Sequence, residues 1–162
     1  MGMFKAQAEL DKRIGGRRSV DHLRFKKELA LLVELGELAN ELPEVFKYWS
    51  CKENNYERAL EEYVDCLHFI LSIGIDLGAD DTDIEKIFID HAPLGLDHKF
   101  NKQGVLYRLR HVAKAVWTLD EYENNFTNFV ELGYAIDFSY EQIKRAYFDK
   151  VAINHKRQED GY

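Results

Sequence analysis

An all-α helical bundle of about six to seven helices is the fold class that the sequence predicts, on three observations. Helix formers dominate: Leu, Ala, Glu and Lys total 59 of the 162 residues, against 22 for the β-favouring Val, Ile and Thr. Pro43 and Pro93 are the only prolines, so obligatory breaks are few. No alternation of apolar and polar residues persists long enough to make a strand.

The elements follow in order. A first helix over roughly 3–14 is stopped by Gly15-Gly16. A second, over roughly 21–42, is closed by Pro43, because the residue before proline is pushed out of the α region. A third covers roughly 56–78, with Gly78 as its C-cap and Asp80 and Asp81 as N-caps of a fourth at 81–91. His91 to Gly104, carrying Pro93, Gly95 and Gly104, is the main expected loop. It has no linker-like composition, so residues 1–162 are expected to form a single domain. A fifth helix spans roughly 103–118, and a shorter one lies near 121–134. Ser139 with Gln142 three residues on is a capping box that opens the last helix, roughly 139–157.

Composition excludes several functions. With 22 Lys and Arg against 29 Asp and Glu, the net charge is −7, unsuited to gripping a nucleic-acid backbone. No apolar run reaches the length of a membrane span, and the N-terminus lacks a secretory core. Cys51 and Cys66 are too few for a disulfide framework or a cysteine zinc site. Two free, buried thiols fit a reducing compartment, and a cytoplasmic location is the expectation.

Two acidic helices carry the chemistry. Glu34, Glu37 and Glu41 fall within about 60° of one another on the second helix. Leu31, Leu35, Leu38 and Leu42 flank them on one side, Leu29 and Val33 on the other. Carboxylates in so apolar a setting are costly unless cations neutralise them. On the third helix Glu62, Asp65 and Phe69 share a face with Arg58, Ser72 and Asp76, and Glu61 and His68 lie at its edge. Two i, i+3 pairs, Glu34/Glu37 and Glu62/Asp65, therefore sit on helices that should pack together. Four convergent carboxylates suit a hard divalent cation, above all Mg²⁺. A di-iron centre would ask for E-x-x-H on two helices; Asp65-x-x-His68 is the nearest approach. An E-x-x-E pair alone is more often a solvated surface pair, so the residues by themselves leave the metal site and the surface reading both open.

The last helix points the same way. Tyr147, Lys150, Asn154, Arg157 and Gln158 span about 100° of the wheel. Such a face can grip phosphates and balance their charge, or be plain solvated surface.

These residues resemble a known family. The stretch from Leu29 to Gly78, LALLVELGELANELPEVFKYWSCKENNYERALEEYVDCLHFILSIGIDLG, resembles the dimeric dUTP diphosphatases of the all-α, MazG-like NTP pyrophosphohydrolase superfamily. The pattern E-x-x-E, spacer, E-x-x-D appears as Glu34, Glu37, Glu62 and Asp65, and EEYVDCLHF is similar to its dUTPase-specific form. QAELD near the start and AYFDKVAINHKRQEDGY at the end are similar to the opening and closing motifs. The resemblance implies that Glu34, Glu37, Glu62 and Asp65 are catalytic, ligating Mg²⁺ (with Mn²⁺ as a substitute) that holds the triphosphate and activates water. Glu34 would also orient or deprotonate that water. His68 and Phe69 would line a uracil pocket with Gln7, Asp11 and Trp49; Lys47 near Trp49 is a further contact. His68 could instead be a satisfied helix-edge histidine, and Trp49 plain core. Gln7 suits a base reader because its amide both donates and accepts. Tyr147, Lys150, Asn154 and Arg157 would hold phosphates and sugar. Val151 stands where the family usually has a second asparagine, removing one polar ligand. The implied function is Mg²⁺-dependent hydrolysis of dUTP, and of dUDP, by a homodimer. Its rivals are a relative acting on dCTP or a modified dNTP, and a catalytically silent helical partner protein.

Overall fold

The computed structural model describes residues 2–15, 22–79, 82–93 and 100–160. Among these residues there are eight α-helices and no strand, as the all-α expectation requires. In chain order they are α1 (Met3–Gly15), α2 (Leu23–Glu41), α3 (Pro43–Phe46), α4 (Tyr56–Leu77), α5 (Ile84–Asp90), α6 (Lys102–Ala113), α7 (Leu119–Ile136) and α8 (Tyr140–Glu159).

Helix α4 is the hub, because a helix apolar on most of its circumference is stable only inside. It packs against α1, α2, α7 and α8. Asn55 caps its start by accepting from the Arg58 N–H, and Gly78 ends it in the left-handed region at φ 77°. α2 lays Leu31, Leu35 and Leu38 into the core, α7 contributes Phe126, Phe129 and Val130, and α6 and α5 cover α7. The Ser139–Gln142 capping box forms as expected and sets where α8 begins.

Two glycines let α4 and α7 approach closely. A Cβ on Gly133 would lie 2.7 Å from the Tyr63 hydroxyl, and one on Gly74 would lie 2.5 Å from the Tyr122 hydroxyl. Each tyrosine donates to the carbonyl one turn before the glycine it covers: Tyr63 to Phe129 at 3.0 Å, Tyr122 to Ile70 at 3.1 Å. The hydroxyls, buried with their rings, are thereby satisfied.

Several boundaries differ from expectation for physical reasons. Pro43 ends α2 but, with its φ preset, also starts the extra single-turn α3. α6 stops at Ala113 rather than near 118, because Trp117 turns inward against Tyr122 while Arg24 and Asn125 bond the carbonyls of Trp117 and Val116. The helix expected to be short, α7, has 18 residues. α5 begins at Ile84 with Asp83 as its cap; Asp80 and Asp81 lie outside the described residues, as do Gly16 and Gly95. Asn101 caps α6, which puts Gly104 in its first turn rather than in the loop. Cys66 is buried, but Cys51 is exposed, contrary to expectation. On α2, Leu29 and Val33 are also exposed, at 63% and 52%, so only one of its two apolar flanks faces this chain's core.

Alanine at an exposed helical glycine normally stabilises by up to about 1 kcal/mol. Gly133→Ala or Gly74→Ala should instead destabilise, by about 1–3 kcal/mol, because the ring beneath must move. Urea denaturation checks this, and an unchanged midpoint would contradict the close packing.

Candidate active site

The cleft that holds the acids opens between α2, α4 and α8. Its volume is about 630 Å³, and its walls include Glu34, Glu37, Glu62, Asp65, Lys150 and Arg157. Glu34, Glu62 and Asp65 each bring a carboxylate oxygen to within 4.8 Å of the others. Glu37, one turn beyond Glu34, lines the same cleft but is exposed and stands outside that cluster. Two cations attend the acids. Lys150 donates to Asp65 at 2.6 Å, and Arg58 pairs with Glu62 at 2.9 Å and also with Glu61.

The balance of charge is incomplete. Burial, then repulsion from Asp65, Glu37 and Glu62, pushes Glu34 up to about 7 against the pull of Lys150. Burial also raises Glu62, although Arg58 opposes it. Repulsion among carboxylates that a lysine already partly neutralises is a site seeking more positive charge. An all-carboxylate donor set of this kind fits a hard divalent cation.

The decisive comparison agrees with this chemistry. A family profile described as dUTPase matches residues 1–162. The chain belongs to the all-α dUTPase family. It is therefore a dUTP diphosphatase, a hydrolase of a nucleoside triphosphate, from a family that generally depends on a divalent metal. No curated protein matches the chain. No helix of the described residues is long and apolar enough to cross a membrane.

The dUTPase has a second polar cluster beside the acids. Gln7 is buried; its Oε1 lies 2.7 Å from His68 Nδ1 and its Nε2 donates to Asp11 at 2.7 Å. His68 stacks on Tyr147, with ring centroids 4.5 Å apart. Burial, reinforced by Lys150, pulls His68 down to about 3, so the ring is neutral. Phe69 is half-buried against the core.

Other expected residues fall elsewhere. Tyr147 is not on a solvent-facing phosphate grip: it is fully buried, and its hydroxyl reaches Met3 O and Gln7 Oε1, each at 3.1 Å. It joins the Gln7–His68 cluster. Val151 is buried in the core, a sufficient reason for an apolar residue there. Trp49 is 66% exposed, edge-on to Tyr48 and Phe46, so it is not core. Neither Trp49 nor Lys47, whose ammonium sits over Phe46, lines the cleft. Asn154 is half-buried on α8, between Lys150 and Arg157 in sequence.

Sequence reasoning passed over Arg58 as a partner of the acids and omitted Lys27. Both had a spacing signal. Arg58 is four residues before Glu62, and Lys27 is two turns before Glu34, on the same face of α2.

The raised Glu34 has a consequence for stability. Unfolded, it releases its proton near its ordinary 4.5; folded without metal, it holds the proton until about 7. The folded state binds more protons across that window, so Glu34 makes metal-free stability fall as pH rises from about 4.5 to about 7. Melting curves in EDTA should show this slope, and Glu34→Gln should flatten it. Added divalent cation should raise Tm most at the upper end of the window.

Proposed function

We propose that the cleft hydrolyses dUTP to dUMP and pyrophosphate, and dUDP to dUMP and phosphate, in an Mg²⁺-dependent reaction that Mn²⁺ also supports. Residues 1–162 would act as one domain. The observation that carries the reading is the convergence of Glu34, Glu62 and Asp65 beside Lys150, in a cleft of nucleotide-accommodating size. Glu34, Glu37, Glu62 and Asp65 would hold the cation. The chemistry it supplies when bound is neutralisation of phosphate oxygens and acidification of water. Glu34, at the edge of the cluster, would also orient the attacking water or take its proton. Lys150, Arg157 and Asn154 would hold phosphate oxygens, Lys150 exchanging its bond to Asp65 for one to phosphate. Gln7, Asp11, His68 and Phe69 would form the base side of the pocket.

Incubation with Mg²⁺ and each dNTP, or UTP, should release pyrophosphate predominantly from dUTP; equal rates with dCTP would overturn the substrate assignment. No release from any nucleotide would favour a silent partner protein. EDTA should abolish turnover, and Glu62→Gln or Glu37→Gln should cut kcat at least about 100-fold with helical content unchanged.

We also propose a homodimer working in a reducing, cytoplasmic setting. Phe25, Leu29, Leu32 and Val33 form one exposed apolar stripe on α2, between 48% and 67% accessible. Such a stripe suits a self-complementary contact between two copies. Light scattering should give twice the 19.0 kDa chain mass, and Leu32→Glu should shift it to the monomer; a wild-type monomer would overturn the assignment.

A further inference from the structure

A second cavity, of about 410 Å³, opens between α6 and α7 and shares no lining residue with the acidic cleft. Its two walls differ in chemistry. On α6, Tyr107, Arg110, His111 and Lys114 recur at i, i+3, i+4 and i+7, which makes them one face. The Tyr107 and His111 rings lie side by side, with centroids 6.4 Å apart. Arg110 and Lys114 are exposed, and neither forms an ion pair among the described residues. On α7, Glu121 and Asn125 lie one turn apart on the lining.

Cations in the last turn of a helix are favoured by its dipole alone, so the α6 face would not by itself make a site. Asn125 supplies an independent observation. It is only 4% exposed, and its Nδ2 donates to the Val116 carbonyl at 3.0 Å. A carbonyl can only accept, so this bond fixes which way the amide is turned and leaves Oδ1 as its free acceptor. No donor among the described residues reaches Oδ1. Nor is Oδ1 sealed in the core, as the unpartnered His68 Nε2 and His155 Nδ1 are. It opens on the cavity. Water can serve Asn125 alone, but it does not neutralise Arg110 and Lys114. The cavity therefore offers acceptors on one wall, from Asn125 and Glu121, and positive charge on the other, with the Tyr107 ring beside it.

The complement is a flat ring with adjacent N–H donors at one end and an anion at the other. We propose that this cavity is a second nucleotide site, which binds a guanine nucleoside monophosphate with its base edge on Asn125 and Glu121 and its phosphate on Arg110 and Lys114. Guanine presents N1–H and its 2-amino group side by side, the donor pair that two neighbouring acceptors require. Adenine presents one amino group beside a lone pair. Uracil sets a single N–H between two carbonyls, which the Glu121 carboxylate repels. The Arg110 guanidinium suits phosphate oxygens, Tyr107 offers a face for stacking, and the volume is that of a small-molecule site. Nothing in this assignment depends on the hydrolytic reading of the other cleft.

Calorimetry in EDTA, where no metal draws phosphate to the acidic cleft, compares dGMP, dAMP, dUMP and inorganic phosphate. The affinity for dGMP should exceed that for dAMP or dUMP about tenfold or more. No binding of dGMP overturns the proposal, and inorganic phosphate bound as tightly as dGMP reduces the site to an anion patch and overturns it too. In NMR spectra dGMP should shift the Asn125 side-chain amide and His111 ring signals; shifts confined to the α2–α4–α8 cleft overturn the proposal. Arg110→Glu combined with Lys114→Glu alters only exposed side chains, so helical content should hold while dGMP affinity falls about tenfold or more. Glu121→Ala should lower the preference for dGMP over dAMP about fivefold or more. Unchanged affinity in the first variant, or unchanged preference in the second, overturns the proposal.

Discussion

Helix α4 is enclosed by α1, α2, α7 and α8, and a helix so enclosed can carry a polar group only where a neighbouring helix or its own next turn supplies a partner. That constraint organises the molecule. Glu62 leans on Arg58, Asp65 on Lys150, His68 on Gln7, and Ser72 on Asp11. The apolar remainder of α4 is held by close contact, with Tyr63 and Tyr122 seated over glycines of the facing helix. The polar line along α4 thus meets α1 at one end and α8 at the other.

The two ends of that line differ electrostatically. At the acidic end three carboxylates converge faster than Lys150 and Arg58 can neutralise them, and Glu34 holds its proton up to neutrality. Such a site is destabilising when empty of metal and favourable when positive charge enters, which couples binding to stability. At the other end the polar groups of Gln7 and Asp11 are each met by partners, while His68 Nε2 is buried with none among the described residues. Charge is unbalanced at the α2–α4–α8 end.

The all-α class, the Ser139 capping box, the Gly78 terminator and the paired acids were legible because each depends on residues within one or two helical turns. Misreadings arose where distant contacts decide. Trp117 pulls the chain off the end of α6, and Tyr147 looks polar by periodicity yet is buried because α1 offers it two acceptors. The apolar flank of Leu29 and Val33 could not be assigned to core or surface from α2 alone.

By itself the sequence determined that the chain is helical and that α2 and α4 each carry a carboxylate pair, since motif spacing and local propensity survive without tertiary information, while its dUTPase character entered as a resemblance that the family match bears out. Only the tertiary structure decided which three acids converge, that Lys150 reaches Asp65 across 85 positions, and that Gln7 links Asp11 to His68. Hydrogen-bond partners and perturbed charges are properties of juxtaposition. The net charge of −7 says how many acids exceed bases; packing says which of them are left uncompensated.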